Sequence, residues 1–194
     1  MARVKTELTY QSKIKEKLSK YASEGNLVEF RALYDRIYAI DEVMARSYLT
    51  GKYDSRNSML HSAAMGRDDN TKMMDWLITN GVSLDLQDSK GRTPLIFAVD
   101  RGKVKNVKYL LDNFADVTKT EYNGNTALHV ACEPNDHSEE IVKLLMNHTN
   151  SRVSVNCSVK NNKGATPLHI AARFGNIDAI KAMFETETGG LDLD

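Results

Sequence analysis

Cysteine is scarce in this sequence of 194 residues, which contains only Cys132 and Cys157. Two cysteines are too few for the disulfide framework of a small secreted protein, and alongside eight methionines they favour a reducing compartment. Residues 1–20 lack the apolar core of a signal peptide, and no stretch approaches the length of a membrane span. We therefore expect a cytoplasmic or nuclear protein that does not enter a membrane.

The sequence also lacks an excess of charge of either sign, because 26 Lys and Arg balance 26 Asp and Glu. Proteins that bind nucleic acid or an anionic membrane usually carry an excess of basic residues, so neither is an expected partner. Apolar residues make up 41% of the chain and charged residues 27%, as in ordinary soluble domains. A chain of this size can bury a core without disulfides or metals.

Motifs of the common enzyme classes are missing. There is no glycine-rich dinucleotide or phosphate loop, no helical His-Glu-x-x-His motif and no serine nucleophile elbow. Cys132, His137, His148 and Cys157 are spaced too widely to form the close ligand pairs of a zinc site. We predict no catalytic residue, metal or cofactor, and we place Cys132 in the core.

One phrase recurs four times along the chain. Its copies are residues 58–61 (SMLH), 93–96 (TPLI), 126–129 (TALH) and 166–169 (TPLH). The Ser or Thr can cap the first amides of a helix, and Pro at the next position suits a first helical turn. Gly102 and Gly175 fall where a first helix of about two turns must end, since Gly adopts the left-handed cap conformation without strain. Each copy is followed by a second apolar run, so each unit is predicted to be two antiparallel helices and a hairpin-like loop.

This pattern resembles the ankyrin repeat family, whose units of about 33 residues carry a Thr-Pro-Leu-His phrase. Residues 163–176 come closest to the family pattern, and the resemblance covers about residues 53–184. It implies an all-α ankyrin-repeat solenoid, a stack of helix-turn-helix units with hairpin-like loops. We divide the chain into a helical cap over residues 1–52, repeats over about 53–87, 88–120, 121–160 and 161–184, and an acidic tail over 185–194.

The ends and insertions of the array depart from the family pattern. Residues 18–33 have the Ala-x-x-Gly-Asn step and a second-helix run, and are interpreted as a degenerate first repeat followed by a short helix over 41–49. One face of the leading helix is predicted from Val4, Leu8, Ile14 and Leu18. Val153, Val155 and Val159 alternate as in a short hairpin arm.

The recurring Leu and His positions are interpreted as structural. Leu60, Leu95, Leu128 and Leu168 should occupy equivalent core positions, so replacing Leu168 by Asp is expected to unfold the C-terminal units. His61, His129 and His169 recur at one motif position, which favours a role in pinning successive loops over catalysis or metal binding. Ile96 stands at that position in the second repeat, so the hydrogen bonds of the motif His should be missing there.

In the ankyrin family, partners are usually bound on the concave side, by hairpin tips and first helices. Carried over to this chain, these positions are Ser89, Lys90, Arg92, Asp100, Arg101, Thr120, Tyr122, Asn123, Asn125, Glu133, Asn162, Lys163, Ala165, Arg173 and Phe174. We favour Arg92, Arg101, Tyr122, Arg173 and Phe174, because arginine and aromatic side chains dominate the energetics of many interfaces.

The resemblance implies a non-catalytic protein–protein interaction module, such as a scaffold, adaptor or inhibitor, which binds a protein or peptide and is a monomer when free. An alternative is a targeting or regulatory domain from a larger multidomain protein, which the uncapped C-terminal end favours. A third hypothesis is a metal-dependent enzyme that uses the insertion in the third repeat, at residues 149–160.

Overall fold

The computed structural model describes residues 2–51, 57–148 and 156–187, and for residues 2–9 and 186–187 it describes the backbone alone. These residues form eleven α-helices and no strand, which confirms the predicted all-α class. The helices are α1 (Ala2–Glu24), α2 (Leu27–Ile40), α3 (Glu42–Thr50), α4 (Met59–Met65), α5 (Thr71–Thr79), α6 (Pro94–Asp100), α7 (Val104–Asp112), α8 (Ala127–Ala131), α9 (Ser138–Met146), α10 (Pro167–Phe174) and α11 (Ile177–Glu187).

The last eight helices form four pairs that stack in chain order. The first helices, which we call the inner helices, make one row, in which α4 packs against α6, α6 against α8, and α8 against α10. The second helices, which we call the outer helices, make a parallel row, in which α5 packs against α7, α7 against α9, and α9 against α11. At the N-terminal end, α1 packs along α4 and covers the first pair. This arrangement is the predicted solenoid.

Local capping chemistry sets the helix boundaries. Ser58, Thr93, Thr126 and Thr166 each accept a hydrogen bond from the backbone amide three residues ahead, as an N-cap should. The left-handed conformation of Gly175, with φ of 65°, ends α10 at the predicted position. The recurring phrase in the sequence is therefore a helix-start signal.

The recurring leucines are equivalent in register but not in burial. Leu60, Leu95 and Leu128 are 0%, 1% and 2% exposed, because α6 and α8 lie between two neighbours in the row and α4 lies between α6 and α1. Leu168 is 39% exposed, since α10 packs in that row against α8 only. The expectation that Leu168 is a core residue is therefore wrong, and with it goes the reason for expecting Leu168→Asp to unfold the C-terminal units.

The N-terminal cap is a helix pair followed by a short third helix. Ile14 and Leu18 are buried in α1 as predicted, while the side chains of Val4 and Leu8 lie outside the described residues. The ring of Trp76 in α5 packs edge-on against Phe30 and Tyr34 of α2, with centroid distances of 5.5 and 5.3 Å. The helix predicted over residues 41–49 is α3.

Two predicted segments fall partly outside the described residues. Val153 and Val155 of the predicted hairpin arm lie in the stretch 149–155, and most of the predicted acidic tail lies in 188–194. The described start of the tail is helical, because α11 runs to Glu187. Glu185 forms an ion pair of 2.8 Å with Lys143 of α9.

The motif histidines link one unit to the next. In His61, Nδ1 accepts a hydrogen bond from the Ser58 amide at 3.1 Å and Nε2 donates to the Arg92 carbonyl at 2.9 Å. His129 repeats this arrangement, with Nε2 donating to the Ala165 carbonyl at 3.1 Å. An amide can only donate and a carbonyl can only accept, so both rings are held as the neutral tautomer protonated at Nε2. The predicted pinning role is confirmed for these two residues.

The buried histidines should make the fold sensitive to mild acid. Burial, which outweighs the hydrogen bonds to backbone carbonyls, lowers the pKa of His61 and His129 below the ordinary value of about 6.5. Below that pH the unfolded chain binds protons that the folded rings resist, so the free energy of unfolding should fall between about pH 7 and pH 5. Urea unfolding at several pH values measures this slope. It should be shallower in His61→Gln, and an unchanged slope would contradict the account.

Candidate protein-binding surface

The three hairpin tips that the structure describes are built on one local design. An acidic or amide side chain accepts the backbone amide of the residue four positions ahead, and a glycine between them has positive φ. The three pairs of acceptor and glycine are Asp88 with Gly91, Glu121 with Gly124, and Asn161 with Gly164. These bonds fix the backbone of each tip before any partner arrives, so residues carried on the tips are preorganised.

Successive tips are also joined to one another. The Tyr122 amide donates to the Lys90 carbonyl at 2.9 Å, and the Asn162 amide donates to the Asn123 carbonyl at the same distance. The Asn125 side-chain oxygen accepts from the Asn161 side chain at 2.8 Å. The tips therefore form one continuous row. Asn125, predicted to contact a partner, lies half-buried within that row.

Tyr122 is the large aromatic side chain of this row. Its side chain is 71% exposed, while its carbonyl accepts from the Asn162 side chain at 2.8 Å. The ring lies against Gly91, where an added Cβ would come within 2.8 Å of the ring carbon Cδ1. Gly91 thus provides the space in which the ring rests, and Tyr122 is held in place although it faces solvent.

Arg92 is placed differently from the other favoured residues. Its Nε and Nη2 donate to the Asp88 carboxylate at 3.0 and 2.8 Å, and its guanidinium carbon lies 4.0 Å from the centroid of the Phe97 ring. Burial raises the pKa of Asp88, but the hydrogen bonds from Arg92 and from the tip amides outweigh this effect and lower it overall. The Arg92 side chain therefore stabilises its own tip.

Charged groups from three successive units meet beside the tips. Asp100 and Arg101 at the end of α6 form an ion pair of 3.4 Å, and both are exposed. Burial raises the pKa of Glu133, as do the nearby carboxylates of Asp100 and Glu121, while Arg173 partly offsets them. The structure thus brings together Asp100, Glu133 and Arg173, which are far apart in the sequence.

The remaining predicted residues are exposed at the tips or at the end of α10. Lys90, Asn123 and Lys163 are exposed on the tips, together with Ser89, Thr120 and Asn162. Arg173 and Phe174 are exposed at the end of α10, with the guanidinium carbon 5.6 Å from the ring centroid. Ala165 is half-buried, and its carbonyl binds His129. The resulting surface carries both signs of charge, an aromatic ring and several amides, which suits contact with a protein.

The same region offers no activated nucleophile among the described residues. Burial and the neighbouring Glu133 raise the pKa of the Cys132 thiol to about 12, so the thiolate needed for nucleophilic attack is suppressed. Within residues 2–51, 57–148 and 156–187, no group of three or more His, Cys, Asp or Glu could hold a metal ion. No helix in these ranges is both long enough and apolar enough to cross a bilayer.

The residues that build the tips were not among the predicted site residues. Asp88, Glu121 and Asn161 each stand five positions before the capping Thr of their unit, so the recurrence was visible in the sequence. It was hidden because the three side chains differ in type. Their shared property is an oxygen that accepts a backbone amide, and this becomes clear only when the turn is seen.

Comparison with known proteins agrees with this architecture. A family profile for ankyrin repeats (3 copies) matches residues 37–121 and 114–193. The chain is 31% identical over 193 residues to the E3 ubiquitin-protein ligase XBAT32 of Arabidopsis thaliana, covering 88% of this chain and 36% of that protein. It is 32% identical over 116 residues to Inversin of Mus musculus, covering 60% of this chain and 10% of that protein. The chain is 34% identical over 102 residues to Rabankyrin-5 of Mus musculus, covering 53% of this chain and 8% of that protein.

The chain therefore spans about a third of the first of these relatives and a tenth or less of the other two. Ankyrin repeats are generally protein-interaction modules and are generally not catalytic. The profile match covers most of the chain, and the structure has the stacked helix pairs that the profile describes. The chain belongs to the ankyrin-repeat family.

Proposed function

We propose that this chain is a non-catalytic module that binds a protein or peptide through its tips and inner-helix ends. We call this region the tip surface, and define it as residues 89–90, 122–123 and 162–163 with Asp100, Arg101, Glu133, Arg173 and Phe174. The general role of ankyrin repeats supports the proposal. So does the fixed backbone of the tips, because a partner need not supply the free energy of ordering them.

The observation that carries the proposal is the position of Tyr122. The Tyr122 side chain is mostly exposed to solvent and is not part of the core. Its backbone is nevertheless held by the bond from Asn162, and its ring rests against Gly91. Rigid, exposed aromatic side chains lose little conformational entropy on binding and often supply the largest share of interface energy. Tyr122 is therefore the proposed anchor residue of the tip surface.

Replacing Tyr122 by Ala should weaken partner binding without unfolding the chain. Loss of an aromatic anchor costs about 2 kcal/mol or more, which corresponds to roughly a thirtyfold lower affinity. The measurement is quantitative capture of partners from a lysate of the source cells, followed by titration of the main captured protein. The same protein titrated against wild type gives the reference affinity.

Phe114 supplies a matched control for this test. It is also a large exposed aromatic residue, 69% exposed, but it follows the outer helix α7 and is no part of the tip surface. Phe114→Ala should leave the affinity unchanged. If Phe114→Ala weakens binding and Tyr122→Ala does not, the partner binds elsewhere and the assignment of the tip surface fails.

A second candidate function is that of a targeting or regulatory segment in a longer protein. The observation that favours it is that the relatives are much longer than the part this chain matches. Sequencing the source transcript beyond the codon for Asp194 tests it. In either case we propose a cytoplasmic or nuclear location, which the small number of cysteines in the sequence supports. Imaging of the tagged chain in the source cells tests that location.

A further inference from the structure

The last two helices carry exposed apolar side chains, and one of them, Leu168, stands at a motif position that the other units bury. Leu168, Phe174 and Ile177 are exposed there, and Ile170 is half-buried. We call this surface the α10–α11 face. The corresponding leucines of the three earlier units are almost completely buried under the next unit. The α10–α11 face is therefore in register with a stacking interface that this chain makes three times.

The hydrogen-bonding groups of that interface are present on this face as well. The Nδ1 atom of His169 accepts a hydrogen bond from the Thr166 amide at 3.3 Å, as the Nδ1 atoms of His61 and His129 do from their own capping residues. In those two residues Nε2 donates to a carbonyl of the following unit. Among the described residues, no carbonyl accepts from Nε2 of His169. Its ring is exposed with a donor directed away from its own cap.

A backbone acceptor recurs at the first and third of the three junctions. There an asparagine near the start of a second helix donates to the end of the first helix of the preceding unit, from Asn106 to the Ala64 carbonyl at 3.1 Å and from Asn176 to the Cys132 carbonyl at 3.2 Å. Ala172 stands at the position that corresponds to Ala64 and Cys132, four residues after the motif leucine, and it is exposed. The face thus presents apolar surface, a donor and an acceptor in the register of the internal junctions.

We propose that the α10–α11 face is a docking surface for a further ankyrin-type helix pair. The incoming unit would cover Leu168, accept a hydrogen bond from Nε2 of His169 with a tip carbonyl, and donate an asparagine amide to the Ala172 carbonyl. Residues 88–120 have all three features, because they cover Leu60, offer the Arg92 carbonyl to His61 and carry Asn106. The α10–α11 face shares Phe174 with the tip surface, but the proposal does not require that a partner binds the tip surface.

A second copy of the chain matches the face less well. The first repeat unit of a copy is already covered by α1, and the exposed positions of α1 include Lys13, Glu16 and Lys17. That charged side offers neither a hairpin tip nor a capped inner helix to His169. A unit of the same kind as residues 88–120 is therefore the occupant that the chemistry selects.

The test compares one substitution in two chains. The first is the full chain, and the second is the full chain extended after Asp194 by a duplicate of residues 88–120, which keeps the leucine spacing of the existing units. Leu168→Asp should change the unfolding constant of the first chain only slightly. In the extended chain it should raise that constant by at least about thirtyfold, because the carboxylate would now be buried. Both constants are measured by urea unfolding.

Hydrogen exchange provides a second readout and the control. The amides of α10 and α11 should exchange more slowly in the extended chain, and a shuffled extension of the same composition should have no effect. Equal effects of Leu168→Asp in the two chains, or unchanged exchange, would overturn the proposal. So would a large effect in the full chain that disappears on truncation after Glu187, since residues 188–194 would then occupy the face. A dimer of the full chain that Leu168→Asp dissociates would overturn it as well.

Discussion

Replacing Leu95 by Asp is expected to unfold the repeat stack. Leu95 is 1% exposed on α6, which packs between α4 and α8 at the centre of the row. The substitution removes a packed side chain, at a cost of about 2 to 5 kcal/mol, and buries an unpaired carboxylate at a further cost of several kcal/mol. The sum is comparable to the whole stability of a typical domain, about 5 to 15 kcal/mol. Far-ultraviolet circular dichroism in a thermal or urea titration measures the loss.

The same substitution at Leu168 is the matched control. Leu168 has the same place in its motif, but α10 packs in that row against α8 only and the side chain is half-exposed. We expect Leu168→Asp to cost about 1 kcal/mol or less, because the carboxylate can remain hydrated. Equal costs at the two positions would show that the units do not stack in the register described above.

Replacing Asn106 by Ala should give the second large effect. The Asn106 side chain is fully buried, donates to the carbonyls of Ala64 and Arg67 at 3.1 and 2.7 Å, and accepts from the Asn70 amide at 2.9 Å. Alanine leaves these backbone groups without a partner, and each unsatisfied buried group costs about 1 to 3 kcal/mol. We expect a loss of about 3 kcal/mol in the free energy of unfolding, measured by urea titration.

Asn80 offers the control for Asn106. It is exposed and donates to a single carbonyl, that of Trp76 at the end of its own helix. Asn80→Ala should cost no more than about 1 kcal/mol, since water can replace the lost bond. A loss of stability for Asn106→Ala as small as that for Asn80→Ala would mean that the asparagine bridge between the first and second units does not contribute to stability.

The parts of the fold that depend on local chemistry were predictable from the sequence. Helix starts at Thr93 and Thr166 follow from the capping oxygen and the proline beside it, and the end of α10 follows from Gly175. Four copies of the capping phrase, 33 to 40 residues apart, identify a repeat array. Because each signal acts within a few residues, it can be read without knowing the neighbours of the unit.

Features that depend on a neighbouring unit were not predictable in the same way. The motif phrases around Leu128 and Leu168 differ only in Ala127 against Pro167, yet only Leu128 is covered by a following helix. Arg92 occupies a tip position typical of partner contacts, but Asp88 holds its side chain within the fold. The electrostatic coupling of Glu133 to Asp100 joins two different units, and it required the register of the stack.

Hydrogen exchange with and without the captured partner distinguishes the tip surface from the outer helices as the binding site. We expect slower exchange at residues 88–92, 121–125 and 161–165 and at the ends of α6, α8 and α10. The outer helices α5, α7 and α9 should exchange at the same rate with and without the partner. Slower exchange along those outer helices, with the tips unchanged, would contradict the claim that this ankyrin-repeat chain binds its partner through the tip surface.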